Sequence, residues 1–407
     1  MKPGPRRRRA DRDIQIMVTR ERQPPLITRP FLNLTAAHFL QALGYASMPL
    51  LPLYLVHTGA DPARIGLVMG EAAAGGLLFR PLIGWSLDAL GRRITLVFGT
   101  LAIAAGTAGI AAVTEIGPLI HALRIVFGIG VGTLFTGYFT FAADVVPVRR
   151  RTEGLALFGV SGLAPLAINP LVERLDLDPG QLRWVFPCVA MLVLASLIPM
   201  WWLPESRGTL PAADVSPRQA FRALRHPHLW PVWAATVAFS GPVAVFLSFA
   251  TVTAEHRGLA NAGVVWLSYV GGAATVRLLG GRVPDRVGPS NMVAPSIACY
   301  GAGMLVLAMA DAAPAFLLAG LLGGLGHGYG FPVLASQVAT RAPDHLRGTA
   351  MAMFTGLFDL TMLTFNPLFG LVALHRDYGT AFAAGALSCV AGLSIWVFLE
   401  HRIAGSR

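Results

Sequence analysis

The chain has 407 residues, of which 54% are hydrophobic and only 13% are charged, and its formal net charge is +11. Soluble proteins carry roughly 25% charged residues, so this composition excludes an ordinary soluble domain and indicates an integral membrane protein. The three cysteines, Cys188, Cys299 and Cys389, all lie in apolar runs, which predicts buried thiols rather than a disulfide framework or a metal site.

Apolar runs long enough to cross a bilayer, about 18–25 residues each, follow one another along the chain. Six lie near residues 31–56, 62–87, 93–113, 117–144, 154–173 and 184–203, and six more lie near 230–253, 260–282, 291–310, 313–340, 348–374 and 380–401. We therefore predict an all-α membrane protein with twelve transmembrane helices.

The polar segments between these runs predict the domain organisation. A basic, disordered tail (1–30) precedes a six-helix bundle (31–203), a polar linker (204–229), a second six-helix bundle (230–401) and a short tail (402–407). If the N-terminus is cytoplasmic, 24 of the 32 basic residues face the cytoplasm and 5 face the other side. This bias predicts that both termini and the linker are cytoplasmic.

An internal repeat relates the two predicted bundles. Arg80, Gly84, Asp88 and Gly91 match Arg277, Gly281, Asp285 and Gly288, and every pair is 197 positions apart. The segment GIGVG at 128–132 similarly resembles GLGHG at 324–328. Repeated halves are typical of secondary transporters, which bind substrate between the halves near the middle of the membrane. The repeat predicts two pseudo-symmetric bundles.

The segment GWSLDALGRR, residues 84–93, resembles the signature of the major facilitator superfamily. Gly84, Asp88, Gly91, Arg92 and Arg93 match its glycines, aspartate and basic residues. The second copy keeps Asp285, Arg286 and Gly288. The resemblance extends over nearly the whole chain and is nearest to the twelve-span bacterial efflux permeases that exchange drugs for protons. It implies a transporter of the inner membrane and no enzymatic activity.

Two further motifs resemble those of the superfamily. Arg124, Gly128 and Gly130 match a pattern in the fourth span, where the arginine is associated with proton transfer in proton-coupled members. Gly162 and Pro165 match part of a glycine–proline motif in the fifth span that is associated with export. We expect these glycines and the proline to let the helices bend, because proline removes a backbone hydrogen bond.

We predict a cluster of charges and glycines at the cytoplasmic ends of the spans that gates access between the two halves. An aspartate at a helix end can pair with arginine and accept hydrogen bonds from a neighbouring helix. A tight turn that only helps to fix topology is the alternative interpretation. The predicted members are Arg80, Gly84, Asp88, Gly91, Arg92, Arg93, Asp144, Arg151, Glu153, Arg277, Gly281, Asp285, Arg286 and Gly288.

Ionisable residues inside a membrane are costly and are usually functional. They give Glu71, Arg124, Asp359 and His327 as candidates for proton coupling. Polar residues on the predicted inner faces give His38, Gln41, Tyr45 and Tyr138 as candidates for the substrate cavity. For Arg124, snorkelling of the side chain towards the outer interface is the alternative. For the other residues, a structural role in which a neighbouring helix satisfies the polar group is the alternative.

We therefore predict a secondary transporter that exports a small lipophilic or amphipathic compound in exchange for protons. A proton-coupled importer or facilitator of a sugar, an organic acid or another metabolite is the alternative. The chain has no nucleotide-binding loop, so we expect the proton gradient to drive transport without a cofactor or metal. The bilayer and a small molecule are the expected partners, the functional unit is expected to be a monomer, and no nucleic acid is expected to bind.

Overall fold

The computed structural model describes residues 25–147, 151–204, 217–281 and 283–404, and the secondary structure of these residues is entirely helical. Most of the predicted tail and half of the linker therefore lie outside the described residues. In the first half, we number the spans 1 to 6 in chain order. They are Arg29–His57, the bent pair Pro62–Leu78 and Arg80–Ala89, Arg92–Ala112, Pro118–Val145, the broken pair Arg151–Leu163 and Ile168–Glu173, and Gly180–Trp201.

The second half repeats this order. Spans 7 to 12 are Trp230–His256, Val264–Leu278, Pro289–Met309, Ala313–Arg341, Arg347–His375 and Tyr378–Ala404. In the described part, nine helices are long and apolar enough to cross a membrane, or ten with the bent pair of span 2. Two shorter apolar helices, Leu157–Glu173 and Val264–Leu278, occupy the places of spans 5 and 8. The twelve predicted positions are thus all filled by helices.

Prolines explain the interruptions of spans 2 and 5. Span 2 bends by 45° at Phe79, directly before the Arg80–Pro81 pair that opens its second helix. Span 5 changes to a 3-10 helix over Ala164–Ala167, which contains Pro165. Each proline removes a backbone donor and weakens the helical ladder at that point. The expected bending of span 5 at Pro165 stays a prediction, since this geometry shows a change of helix type.

The internal repeat is also present in the packing. Gly128 of span 4 lies against the Ala72 carbonyl of span 2, and Gly324 of span 10 lies against the Tyr269 carbonyl of span 8. Ala72 and Tyr269 are themselves 197 positions apart. A Cβ atom on either glycine would overlap these carbonyls, so both positions need glycine for close approach of the backbones. Because span 4 runs unbroken through Gly128, this close contact explains the glycine, and the expected role in bending does not.

Gly130 follows the same pattern, since an added Cβ would lie only 2.7 Å from the Gly99 carbonyl of span 3. Its expected role in bending is therefore also replaced by close packing. The turns after spans 2 and 8 are likewise repeated: Gly91 and Gly288 have φ angles of 106° and 90°, a region that favours glycine. Gly84, in contrast, has open space around it, so close helix contact does not explain that glycine.

The helix ends form two faces of the bundle. We call the side where span 1 begins and span 12 ends the terminal face, and the other side the opposite face. Several polar contacts between the halves lie at the opposite face. His57 lies 4.0 Å from Glu255, the backbone N–H of Gly263 donates to Glu173, and Asn261 donates to the Pro170 carbonyl over 3.3 Å.

Large apolar side chains cover the outside of the bundle, as a lipid-facing surface requires. Trp201, Leu279 and Met309 are each more than 75% exposed. Cys188 is also exposed and Cys299 is partly exposed, whereas Cys389 is buried. The prediction of three buried thiols was therefore wrong for Cys188, because an apolar run in a membrane protein can face lipid as well as the core.

Candidate functional site

An ion pair joins the two halves in the interior of the bundle. Arg80, at the bend of span 2, pairs with the carboxylate of Asp359 in span 11. Its Nη1 atom also donates to the Thr355 hydroxyl over 2.6 Å. Asp359 lies near the middle of span 11, and both charged side chains are about one-fifth exposed. The bend at Phe79 directs Arg80 across the interface and away from the terminal-face cluster in which the sequence placed it.

Arg277, the repeat mate of Arg80, crosses the same interface from the other half. Its Nη1 atom donates to the Gly159 carbonyl of span 5 over 2.6 Å. Its Nε atom is buried without a hydrogen-bond partner. Among the described residues, no carboxylate lies within ion-pair distance of this guanidinium. Arg277 was also predicted to belong to the terminal-face cluster, and the structure instead places it between the halves.

Histidine and tyrosine side chains of both halves lie within electrostatic range of Arg277. His38 of span 1 stacks on Phe158 with ring centroids 4.6 Å apart, and its Nδ1 lies 2.7 Å from the Ser161 hydroxyl. Gly162 makes room for this arrangement, since an added Cβ would lie 3.0 Å from His38 and 3.5 Å from the Tyr45 hydroxyl. The predicted cavity residues His38 and Tyr45 therefore meet at Gly162, where a close approach explains the glycine.

His327 lies on the other side of this interface, in span 10. Its Nδ1 atom is hydrogen-bonded to the Tyr269 hydroxyl of span 8, and its ring packs against Phe239 with centroids 5.5 Å apart. Like His38, His327 lies within electrostatic range of Arg277. The remaining predicted cavity residues, Gln41 and Tyr138, are buried, and their side-chain polar atoms have no hydrogen-bond partner in the described part of the chain.

Glu71 has a partner that the sequence reasoning missed. Both of its carboxylate oxygens lie 2.8 Å from Nδ1 of His121, which is in span 4. This pair joins spans 2 and 4 within the first half. His121 precedes Arg124 by three residues, so both side chains lie on the same face of span 4. This spacing of two polar residues in an apolar span could have indicated that His121 has a partner inside the bundle.

Arg124 is held by backbone and sulfur acceptors. Its side chain donates to the Val68 carbonyl over 2.9 Å, to the Met69 carbonyl over 3.3 Å and to the Met48 sulfur over 3.0 Å. The residue is only 3% exposed. Because several acceptors surround the buried guanidinium, this arginine fixes spans 1, 2 and 4 relative to one another. Its role in proton transfer stays a prediction.

A second charge cluster lies at the terminal face of the first half. Arg92 pairs with Asp88 over 3.1 Å and with Asp144 over 3.4 Å, which joins spans 2, 3 and 4. Arg93 donates to the carbonyls of Trp201 and Leu203, both over 3.3 Å. The predicted association of Asp88 with Asp144 is thus present and is mediated by Arg92. Arg286 is exposed at this face, and Gly281 lies in the turn after span 8. The side chains of Arg151, Glu153 and Asp285 lie outside the described residues.

Comparison with known proteins identifies the family. A family model described as the Major Facilitator Superfamily matches residues 34–276 and 258–406, which is nearly the whole chain. The chain belongs to the major facilitator superfamily. The resemblance inferred from the signature at residues 84–93 is therefore confirmed, and so is the all-α membrane fold.

Relatives and solved structures within this superfamily agree on a transporter. An uncharacterized MFS-type transporter of Salmonella typhimurium is 26% identical over 379 residues, covering 89% of this chain and 94% of that protein. The nucleoside transporter NupG has a TM-score of 0.74 at 14% identity, with 92% and 99% of the two chains covered. The human organic anion transporter MFSD10 has a TM-score of 0.68 at 19% identity, covering 92% of this chain and all of the other.

This superfamily membership establishes a membrane transporter and not an enzyme. The solved structures are less than 25% identical and therefore establish only the shared fold. In the part of the chain that the structure describes, no group of three or more metal-binding side chains occurs.

Proposed function

We propose that this transporter exports a small amphipathic compound in exchange for protons by alternating access. The observation that carries the proposal is the Arg80–Asp359 ion pair, which connects span 2 of one half to span 11 of the other. An intramembrane carboxylate at a movable interface is suited to bind and release a proton. Protonation of Asp359 removes the charge that attracts Arg80, so it weakens the link between the halves.

The other candidate groups support this assignment by contrast. Glu71 and His121 pair within a single half, so their protonation does not directly change a contact between halves. Arg124 is anchored in the same half by carbonyl and sulfur acceptors. We therefore place proton coupling at Asp359, and we place the gate of the terminal face at the cluster formed by Arg92, Asp88 and Asp144.

The orientation and direction belong to the same proposal. The excess of basic residues at the terminal face favours a cytoplasmic location for both termini in a bacterial inner membrane. The halves meet at the opposite face, so the described state is closed to the outside under this orientation. The interruption of span 5 at Pro165, in the motif that resembles that of exporters, favours export. The protein is proposed to act as a monomer, with the proton gradient and no cofactor as its energy source.

Partly exposed aromatic side chains support an amphipathic substrate. Tyr45 packs against Phe135 with ring centroids 5.6 Å apart, and Phe135 is 44% exposed. Binding sites for small molecules combine such apolar surfaces with a few polar groups. The structural neighbours include an organic anion transporter, a nucleoside transporter, a POT family transporter in complex with a thioalcohol-conjugated peptide and a proton:xylose symporter, so they give no single substrate class.

Proton flux in inside-out vesicles tests the proposal. An imposed pH gradient is monitored while lipophilic cations, antibiotics, sugars and organic acids are added singly. We expect at least one amphipathic compound to dissipate the gradient with the wild-type protein and to lose at least about tenfold of this effect in Asp359→Asn, because the proton site is removed. The matched control is Asp311→Asn, an exposed aspartate in the loop between spans 9 and 10.

Two outcomes contradict the proposal. Equal proton flux in wild type and Asp359→Asn would exclude Asp359 as the coupling group. Counterflow of a metabolite without proton movement would indicate a facilitator. The double variant Arg80→Gln/Asp359→Asn separates coupling from stability, since it also removes the arginine that Asp359→Asn alone would leave without its ion-pair partner. We expect it to be as inactive in proton flux as Asp359→Asn but closer to wild type in thermal stability.

A further inference from the structure

We propose that Arg277 binds the anionic group of the transported compound, so that the substrate is an amphipathic organic anion such as an aromatic carboxylate. This assignment rests on the proposed transport function and specifies its substrate class. It assigns to Arg277 a role in recognition that differs from the gating role suggested by its place in the repeated motif.

The first argument is that no carboxylate among the described residues balances the positive charge of Arg277. Its hydrogen bond in the described part goes from Nη1 to the Gly159 carbonyl, and its Nε is buried without a partner. Arginine side chains inside a membrane ordinarily pair with acids or with several carbonyls. Guanidinium groups bind carboxylates through two parallel hydrogen bonds.

The second argument comes from the repeat. Arg80 meets Asp359, and the repeat mate of Asp359, 197 positions earlier, is Gly162. The position that is related to Asp359 by the repeat therefore carries a glycine and no carboxylate that could pair with Arg277. Arg80 is neutralised by Asp359. Arg277 has no such carboxylate, because the equivalent position is Gly162.

The third argument is the contrast with Arg124, the other intramembrane arginine of a predicted functional motif. Arg124 is 3% exposed and has three acceptors, so it has little capacity for a ligand. Arg277 is partly exposed and has one acceptor. Accessibility together with incomplete hydrogen bonding distinguishes a binding group from a structural one.

The surroundings of Arg277 suit an aromatic anion. Tyr45 and Tyr269 lie within electrostatic range of the guanidinium, and both contribute a hydroxyl and an aromatic ring. His38 and His327 add two further aromatic rings on opposite sides of the interface. The described intramembrane acids Glu71 and Asp359 are paired elsewhere, with His121 and Arg80. An anion at Arg277 therefore meets donors and rings on both halves.

Ligand binding to the purified protein in lipid nanodiscs tests this inference without a gradient or a transport direction. The probes are benzene, naphthalene and biphenyl, each as the carboxylate, the carboxamide and the aminomethyl cation. We expect at least one carboxylate to raise the thermal unfolding temperature and its two matched analogues to have little effect. Arg277→Gln should weaken the Kd for that carboxylate by about tenfold or more, because a charge-assisted hydrogen bond is lost.

Two further variants make the result specific. Arg64→Gln, an exposed arginine at the opposite face, should leave carboxylate binding unchanged. Arg277→Lys keeps the charge but loses the paired donors, so it should weaken carboxylate binding less than Arg277→Gln. If Arg277→Gln is not monodisperse, the test rests on Arg277→Lys. Its Kd for the carboxylate should be higher than that of the wild type, and an unchanged Kd would overturn the proposal.

The proposal is also overturned if no carboxylate of the panel binds, if the aminomethyl cations bind more tightly, or if Arg277→Gln binds the carboxylates like the wild type. Failure of the proposed proton coupling would give a different result. A carrier that binds carboxylates through Arg277 but moves no protons would retain the substrate assignment and lose the coupling assignment.

Discussion

Arg80 and Arg277 occupy the same position in the two halves, yet their surroundings differ. Both cross the interface between the halves, one from span 2 to span 11 and the other from span 8 to span 5. Arg80 finds a carboxylate and a hydroxyl, whereas Arg277 finds one backbone carbonyl. Gene duplication has kept the crossing geometry, and the change from Asp359 to Gly162 at the partner position has changed its chemistry.

This difference shows how a symmetric scaffold supports asymmetric roles. Close contacts such as those of Gly128 and Gly324 are the same in both halves, because the helices must approach in the same way. The charged residues at the interface can differ between the halves, since only a few side chains there bind substrate or protons. One arginine then links the halves, and the other is available to recognise a ligand.

The largest expected effect comes from restoring the symmetry. Gly162→Asp places a carboxylate at the repeat mate of Asp359, where it can pair with Arg277. We expect carboxylate binding to weaken by at least about tenfold, because the added charge neutralises the arginine and repels an anion. The measurement is the Kd of the stabilising aromatic carboxylate in nanodiscs.

Gly162→Ala is the matched control for this change. An added Cβ lies 3.0 Å from His38, so both variants require a small shift of that ring. If the alanine variant loses as much affinity as the aspartate variant, crowding at His38 explains the loss and charge does not. Undiminished carboxylate binding in Gly162→Asp would show that Arg277 is not the anion site.

The sequence predicted the spans, the repeat and the family, because each depends on local composition or on spacing along the chain. The repeat alone could not predict where Arg80 and Arg277 point. In the sequence both precede a loop with Asp88 or Asp285, which suggested a single cluster at the ends of the spans. The structure directs both arginines across the interface, since the bend at Phe79 and the docking of the halves decide their contacts.

The partners of the predicted residues were harder to foresee. Asp359 was found because a carboxylate in the middle of an apolar run is conspicuous, and Glu71 was found for the same reason. Their partners depend on which helices become neighbours, so His121 was overlooked and Arg80 was grouped elsewhere. Helix packing in a membrane depends on small residues over long sequence separations, which a single span does not reveal.

The terminal face offers a second comparison between the halves. In the first half, Arg92 of span 3 pairs with Asp144 of span 4. In the second half, Arg341 at the end of span 10 lies 2.6 Å from Glu400 of span 12 and donates to Gln337 over 2.7 Å. Span 4 thus ends with a negative charge and span 10 with a positive one. The partner of the first lies in span 3, and the partner of the second lies in span 12.

An intermediate effect is expected from Asp88→Asn, which removes one of the two carboxylates at Arg92. Substrate-driven proton flux should fall roughly fivefold, as expected for the loss of about 1 kcal/mol from an ion pair that contributes to the gate. The membrane level, measured by immunoblotting, should be unchanged. In the second half, Glu400→Gln should have a smaller effect on the flux, because Arg341 keeps its hydrogen bond to Gln337. Normal flux in Asp88→Asn would reduce the cluster to a determinant of topology.

The smallest expected effect concerns the start of the last span in each half, where Asp178 and Asp377 cap helices in the same way. The backbone N–H and the hydroxyl of Thr380 donate to Asp377 over 2.7 and 3.0 Å, and these hydrogen bonds, with the backbone one foremost, lower the pKa of this carboxyl. A carboxyl whose pKa is lowered on folding stabilises the protein above its unfolded pKa of about 3.9, and this contribution is lost as the pH falls through the folded value. Asp377→Ala should therefore reduce the free energy of unfolding by about 1 kcal/mol or less at pH 7, with a smaller deficit at pH 3 in thermal unfolding experiments. A deficit that does not change with pH would mean that the lost cap acts through its geometry and that the ionised carboxylate contributes little.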